Sequence, residues 1–145
     1  MISLRLAQVD QADEIATLLR RSITELCEPD HRNDAARIAA WVANKTPETV
    51  QGWIAHEHLS VIVADIGGAI AGVGAVSKNG EVLLLYVHPD HRFIGVSDAL
   101  LEYMVSNYGA CFLTSTLTAR LFYAKRGWIK AGETGSGGVP MRLPR

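Results

Sequence analysis

Hydrophobic residues at two different spacings divide the start of the chain into a strand and a helix. Ile2, Leu4 and Leu6 alternate with polar residues, which is typical of a strand with one buried face. Apolar residues then recur at helical spacing over residues 11–26, with Asp10 as a suitable N-cap and Pro29 as a stop. The pattern therefore predicts a short first strand followed by an amphipathic first helix.

Two shorter helices are predicted next. Asp34 is a suitable cap for a helix that carries Ile38 and Trp41 on one face. The pair Thr46-Pro47 indicates the start of another helix, because proline is favoured at the first helical position after a threonine cap.

Three antiparallel strands follow, joined by two glycine turns. Residues 59–66 are rich in β-branched side chains and end at Gly67-Gly68, and residues 69–77 end at Asn79-Gly80. Residues 81–87 form an almost uninterrupted apolar run, which predicts a central strand buried on both faces.

The last third of the chain alternates helices and strands. We expect a helix over residues 98–108 with Gly109 at its C-terminal end, a strand over residues 111–116, and a helix over residues 118–126. A helical crossover makes the 111–116 strand parallel to the 81–87 strand. Two final strands, residues 128–131 and 139–143, flank a glycine-rich loop. The whole, residues 1–145, is expected to be one mixed α/β domain.

Composition and charge narrow the class of protein. The 145 residues are 48% hydrophobic and carry a net charge of -1, which argues against disorder and against nucleic acid as a partner. Cys27 and Cys111 have no paired or metal-ligand spacing, so we expect free thiols in a reducing compartment. No apolar run reaches the roughly 18 residues of a membrane helix. These features predict a cytoplasmic protein with no membrane partner.

The junction between residues 81–87 and the following helix is the strongest candidate for a ligand site. A helix that begins directly after a polar turn presents free backbone N–H groups and the positive end of its dipole. Gly95 allows a ligand to approach the backbone closely, and Arg92 adds a fixed positive charge. The turn over residues 92–97 is therefore predicted to bind a phosphate or pyrophosphate.

Two segments carry a family resemblance. Arg92-Phe93-Ile94-Gly95-Val96-Ser97 resembles the Arg/Gln-x-x-Gly-x-Gly/Ala turn of the GNAT superfamily of acetyltransferases, preceded by the family's Val-x-Pro strand end at Val87-His88-Pro89. Downstream, the segment from Ala119 to Trp128, with Phe122-Tyr123 and Gly127, resembles the family's Ala-x-x-Phe-Tyr-x-x-x-Gly-Phe segment. Phe93 stands where the family usually has glycine, and Ser97 where it has glycine or alanine.

The resemblance implies a fold and a cofactor. The implied fold is a central mixed, mostly antiparallel sheet of six to seven strands flanked by helices, with the fourth and fifth strands splayed apart. The implied co-substrate is acetyl coenzyme A. Its pantetheine arm would lie along the fourth strand, and the amides of Tyr86 and Val87 would steady the oxyanion formed when an amine attacks directly. The residues that the resemblance assigns to the cofactor are Leu85, Tyr86, Val87, Arg92, Phe93, Ile94, Gly95, Val96 and Ser97.

The resemblance also implies catalytic roles, each with a plainer alternative. Tyr123 matches the tyrosine that protonates the leaving thiolate, although Phe122-Tyr123 is also an ordinary core pair. Glu81 lies six residues before Val87, a spacing that resembles the glutamate through which some members deprotonate the amine by way of water. The alternative for Glu81 is a solvated strand end, and His88 is a second, weaker candidate for the base.

The His56-Glu57-His58 triplet is the remaining candidate for a site. His56-Glu57-His58 does not predict a metal site, because side chains two apart on a helix point to different faces. Two classes of function remain: an N-acetyltransferase acting on a primary amine of a small molecule or protein, and a non-catalytic module that binds or senses coenzyme A or another ligand. A homodimer stays open, and the sequence does not identify the amine.

Overall fold

The computed structural model describes residues 1–144. Within them the strands are β1 (Ser3–Leu6), β2 (Leu59–Ile66), β3 (Ala69–Ser77), β4 (Val82–Val87), β5 (Cys111–Ser115), β6 (Ile129–Lys130) and β7 (Val139–Leu143). The helices are α1 (Ala12–Leu26), α2 (Glu28–His31), α3 (Ala35–Val42), α4 (Pro47–Ala55), α5 (Val96–Val105) and α6 (Arg120–Ala124), with 3-10 turns at Val9–Gln11 and Pro89–His91. None of the helices described is long and apolar enough to cross a membrane.

The strands form two sheets that meet at one end. One sheet has the order β1-β2-β3-β4 and the other β5-β7-β6, and all pairings within them are antiparallel. The sheets are connected by a parallel bridge between Glu81 and Phe112, where the Phe112 N–H donates to the Gly80 carbonyl oxygen at 3.2 Å. The predicted mixed, mostly antiparallel arrangement is confirmed, with β4 and β5 parallel and paired only at their start.

A β-bulge bends β4 where the two sheets separate. Leu84 lies opposite Ala75 and Val82 lies opposite Val76, so Leu83 is an extra residue in the ladder. Such a bulge increases the local twist and turns the following residues in a new direction. The bulge accounts for why β4 leaves β5 after a single bridge.

Both faces of β4 contact a hydrophobic core. Leu85 and Val87 pack against the core under α5, whereas Leu84 and Tyr86 pack against the core under α1. The sequence predicted a central strand buried on both faces. The two faces are indeed covered, but β4 is the edge of its own sheet and its side chains from Leu84 onward are only half-buried.

Two glycines of β3 let α5 lie directly against the sheet. A Cβ atom on Gly72 would come within 2.5 Å of Val96 Cγ1 and 2.9 Å of Leu100 Cδ1, and one on Gly74 within 2.7 Å of the Met104 sulfur. Non-bonded atoms do not approach so closely, so a side chain at either position would force Val96, Leu100 or Met104 to shift.

Several predicted helix ends are confirmed. The Ala36 N–H donates to Asp34 Oδ1 at 3.1 Å, and the Thr49 N–H donates to Thr46 Oγ1 at 3.2 Å. Both side chains therefore cap their helices as predicted.

Other predicted ends are wrong. Asp10 lies inside the Val9–Gln11 turn, which Gln8 and Gln11 cap reciprocally, so it does not cap α1. The predicted end of α1 at Leu26 is correct, but Pro29 then lies in the first turn of a further short helix, α2, which was not predicted. Helix α5 ends at Val105, four residues before Gly109, because the chain must turn to reach β5; the hydroxyl of Ser106 donates to the Tyr103 carbonyl at this end.

The close approach of α5 to β3 predicts unequal effects of alanine at the two glycines. Gly72→Ala should lower the free energy of unfolding by about 1–3 kcal/mol, because Val96 is β-branched and cannot move aside. Gly74→Ala should cost less, since the end of Met104 is flexible. Urea denaturation measures both.

Gly52→Ala is the matched control for these two variants. Gly52 lies within α4, and an added Cβ atom would meet nothing within 4 Å. It should therefore raise the stability by up to about 1 kcal/mol, as expected for alanine in a helix. A Gly72→Ala variant as stable as Gly52→Ala would contradict the proposed packing constraint.

Candidate active site

The separation of β4 from β5 opens a cleft of about 340 Å³ that begins at the start of α5. A second, narrow cavity of about 50 Å³ continues between β4 and β5. The cleft is lined by the end of α1, the end of β4, the turn before α5, and the segment from β5 to α6. The lining residues are Ser22, Leu26, Cys27, Leu85, Tyr86, Val87, His91, Arg92, Phe93, Gly95, Val96, Ser97, Asp98, Thr116, Thr118, Ala119, Phe122, Tyr123 and Arg126.

The turn before α5 has the geometry of an anion site. Gly95 is the N-cap residue and has a φ of 90°, a left-handed conformation that glycine adopts at little cost. The first-turn amides of Val96 and Ser97 have no acceptors within the helix, as at the start of any α-helix. Among the described residues no side chain caps this helix either, so these amides remain available to a ligand. These amides, the helix dipole and the nearby Arg92 favour negative charge at the cleft.

Phe93 is the strained residue of this turn. It has a φ of 62°, a conformation that costs a bulky residue on the order of 1–2 kcal/mol relative to glycine. Its ring is 89% exposed, and the Arg92 guanidinium lies 4.4 Å from the ring centroid. The glycine that the family pattern has at this position would adopt the same backbone without strain. Ile94, by contrast, does not line the cleft.

One carboxylate stands at the helix start and is neutralised. Asp98 lies in the first turn of α5, where its charge would repel a phosphate. Arg126 holds it with two hydrogen bonds, one of them from Nη2 to Oδ2 at 2.9 Å, and these bonds lower the pKa of Asp98. The Arg126 guanidinium also covers the Phe122 ring at 3.7 Å. The ion pair therefore joins α5 to α6 and offsets the negative charge beside the turn.

The free edge of β4 presents backbone amides to the cleft. The His88 N–H donates to the Ala71 carbonyl oxygen at 2.8 Å, so this amide faces β3. Amides of successive residues in a strand point to opposite sides. The N–H groups of Leu85 and Val87 therefore face the cleft, whereas that of Tyr86 faces β3. Tyr86 lines the cleft with other atoms, and the predicted oxyanion contact from its amide does not fit this geometry.

Tyr123 lies where the wide cleft meets the narrow cavity and lines both. The residue is 5% exposed, and its ring packs edge-on against Trp128 at 5.5 Å between centroids. Burial raises the pKa of Tyr123 above its ordinary value of 10.0, so the hydroxyl stays protonated at neutral pH. A buried, protonated phenol can donate a proton into the cleft.

Helix α6, which carries Tyr123, is attached to the first third of the chain by Asp30. The Asp30 carboxylate accepts hydrogen bonds from the Leu117 and Thr118 N–H groups, both at 2.8 Å, and from the Thr118 hydroxyl. Sequence reasoning missed this residue. No local pattern could reveal it, because the partners are 87 and 88 residues apart.

Cys27 and Tyr86 form the floor of the cleft on the α1 side. Burial raises the pKa of the Cys27 thiol to about 12, with the nearby Asp30 charge acting in the same direction. Burial also raises the pKa of Tyr86, whereas a hydrogen bond with Trp41 acts in the opposite direction. Both groups are therefore neutral at physiological pH, and Cys27 is not an activated nucleophile. Only the structure places Cys27 in the cleft.

The structure does not bring the two base candidates into the cleft. Glu81 lies at the opposite end of β4 from Val87, about 20 Å away at the usual rise per residue, and lines neither cavity. His88 lies on the α1 side, with Nδ1 accepting from the Asp90 N–H at 3.1 Å and Nε2 3.2 Å from Arg21 Nη1. Neither residue lines the cleft or the narrow cavity, both of which Tyr123 lines.

No group of three or more potential metal-ligating side chains occurs in the described part of the chain. His56 and His58 lie just after α4, where the His58 N–H donates to His56 Nδ1 at 3.1 Å.

The family follows from comparison with known proteins. The sequence model of a family described as "Acetyltransferase (GNAT) domain" matches residues 17–143. The chain belongs to this GNAT family. None of the curated proteins compared with the chain matches it in sequence.

Solved structures of other proteins share the fold of the chain. A GCN5-related N-acetyltransferase from Rhodopseudomonas palustris is 20% identical with a TM-score of 0.82, and covers 99% of this chain and 95% of its own. The PaiA N-acetyltransferase from Thermoplasma acidophilum, in complex with coenzyme A, is 18% identical with a TM-score of 0.83, and covers 100% of this chain and 99% of its own. YjaB from Escherichia coli in its apo form is 20% identical with a TM-score of 0.72, and covers 99% and 95%.

Proposed function

We propose that this GNAT protein is an N-acetyltransferase that moves an acetyl group from acetyl coenzyme A to a primary amine by direct attack. The observation that carries the proposal is a single cleft in which an uncapped helix start, a free strand edge and a buried tyrosine follow one another. The similar Thermoplasma acidophilum structure, which is in complex with coenzyme A, supports the choice of co-substrate.

The cofactor would be held by backbone more than by side chains. The pyrophosphate would accept hydrogen bonds from the amides at the start of α5, with Arg92 adding charge and Ser97 a hydroxyl donor. The pantetheine arm would pair with the free edge of β4 at Leu85 and Val87. The thioester would then lie toward the narrow cavity, near Tyr123.

The chemistry would proceed in one displacement. The amine nitrogen attacks the thioester carbonyl carbon, and one of the two cleft-facing amides, that of Leu85 or that of Val87, would steady the oxyanion, while the other stays paired with the pantetheine arm. The C–S bond then breaks, and Tyr123 would give its proton to the departing thiolate. The amine nitrogen loses its proton to water, and a proton from solvent restores the Tyr123 phenol for the next turnover. The high pKa of Cys27 supports direct attack, because a protonated thiol does not form an acyl-enzyme readily.

The acceptor amine would enter the cleft from the side lined by Ser22 and Cys27, because the cofactor would fill the part of the cleft beside the turn before α5. A primary amine on a small molecule and one on a protein both fit this proposal. Cys27 and Cys111 are both buried and neither takes part in a disulfide in the part of the chain that the structure describes, which fits an enzyme of the reducing cytoplasm.

The first prediction concerns binding. Calorimetry should give one molecule of coenzyme A per chain, and Gly95→Glu should abolish this binding through bulk and negative charge at the helix start. Gly68→Glu is a matched control, because Gly68 has a φ of 89° and Gly95 a φ of 90°, so the backbone strain of the two variants is the same. At neither position would an added Cβ atom meet anything within 4 Å. Gly68 lies in the β2–β3 turn, so its variant should still bind.

Turnover separates the enzyme from a binding module. Acetyl coenzyme A incubated with a panel of primary amines should release thiol in the presence of the protein. Absence of binding at millimolar ligand would overturn the cofactor assignment. Binding without thiol release over the whole panel would instead support the non-catalytic alternative.

Tyr123→Phe should slow turnover without weakening coenzyme A binding, because the phenol is needed only when charge develops on sulfur. We expect kcat to fall by about 10- to 1,000-fold when chemistry limits the rate. Because burial raises the Tyr123 pKa, the wild-type rate should not decline on the alkaline side below a pH of about 10.

Tyr103→Phe serves as the control for this substitution. Tyr103 is on α5, is half-exposed and does not line the cleft, so its variant should be fully active. An unchanged kcat in Tyr123→Phe would make the tyrosine a core aromatic, and a large fall in its melting temperature would mean that its hydroxyl supports the fold.

Glu81 stays a prediction as the base that acts through water. Glu81→Gln should then lower kcat/KM most at the acid end of the pH profile and flatten that limb. The assay needs an amine of low pKa, because deprotonation of the amine itself gives a similar limb. Glu102→Gln, at an exposed position of α5, is the charge-matched control. A wild-type profile for Glu81→Gln would leave Glu81 as a solvated strand end.

A further inference from the structure

Phe93 combines three properties that no packing role explains. Its backbone is in the left-handed region, with a φ of 62°. Its ring is 89% exposed, so it adds almost nothing to the core. The ring nevertheless lines the mouth of the cleft. Strained residues of this kind persist mainly at ligand sites, where the side chain has a function that outweighs its cost.

The orientation of the ring is set by its neighbour. The Arg92 guanidinium lies over the ring with its central carbon 4.4 Å from the centroid, a cation–π contact that covers one face. The high exposure of the ring leaves the other face open to solvent. An open aromatic face at the edge of a cleft is suited to stacking with a flat aromatic ring.

We infer that Phe93 is the stacking platform for the adenine ring of coenzyme A. The inference rests on the proposed function, because it takes the pyrophosphate to be bound at the start of α5. Adenosine is attached directly to that pyrophosphate, so it must leave the cleft beside residues 92–97. Phe93 provides an exposed aromatic ring among these residues, and stacking on such a ring changes affinity for a base by about 5- to 100-fold.

The platform accounts for a phenylalanine at a position that favours glycine. A glycine here would relax the backbone and keep the phosphate site, but it would have no side chain to contact the base. The effects of the backbone and of the ring at residue 93 can therefore be separated. The backbone conformation changes the stability of the turn, whereas the ring changes only the affinity for ligands that contain adenine.

Calorimetric titration with three ligands tests the inference. Coenzyme A and 3′-dephospho-coenzyme A contain adenine, whereas 4′-phosphopantetheine does not. Phe93→Ala should weaken the first two by about 5- to 100-fold and leave the third unchanged, and Phe93→Trp should keep wild-type affinity for all three. Phe93→Gly should raise the melting temperature and yet lose the same affinity as the alanine variant.

Leu121→Ala is the control, because Leu121 is a similarly exposed apolar residue, at 63%, that does not line the cleft. If Phe93→Ala loses affinity equally for all three ligands, the ring acts through the shape of the turn. If it loses affinity for none of them, stacking is excluded. Either result overturns the inference. A change in oligomeric state with unaltered affinity would assign the ring to contacts between copies. If the wild-type protein binds none of the ligands, the proposed function fails as well.

Discussion

The packing of α5 directly onto the backbone of β3 is the constraint on which the rest of the structure depends. Gly72 lies opposite Val87 in the β3–β4 register, and Val96 of α5 contacts the same position from above the sheet. The first residue of the helix is thereby held beside the last residue of β4. Because the chain between them is short, its path is confined, and the amides of the turn face the same opening as the edge of β4.

The cleft itself arises from an irregularity in a ladder. The Leu83 bulge turns β4 away from β5 after one bridge, and α1 and α5 cover the two faces, so the opening is confined to the strand edge. A regular β4 would continue to pair with β5 and would offer no free amides. The site therefore consists of hydrogen-bonding groups that a continuous sheet would have used internally.

Local signals predicted local features well. Asp34 and Thr46 cap their helices, Gly67-Gly68 turns a hairpin, and the residues matching the family turn, with the exception of Ile94, do line a cleft. The apolar run in β4 looked like a central strand because hydrophobicity reports buried faces and says nothing about whether an edge is paired. Asp30, Cys27 and Arg126 could not be predicted as neighbours of the site, since each reaches it through contacts distant in sequence. The only sequence signal for the positive φ of Phe93 was the glycine that the family usually has at that position.

The hydrogen bonds of Asp30 have a consequence for the order in which the protein folds. Helix α6 has five residues, too few to be stable in isolation, and the turn that precedes it is held by a carboxylate 88 residues upstream. Contacts over such separations form slowly because a long loop must close first. The segment with Tyr123 should therefore order after the hairpins, so a chain could complete its first sheet well before α6 forms its side of the cleft.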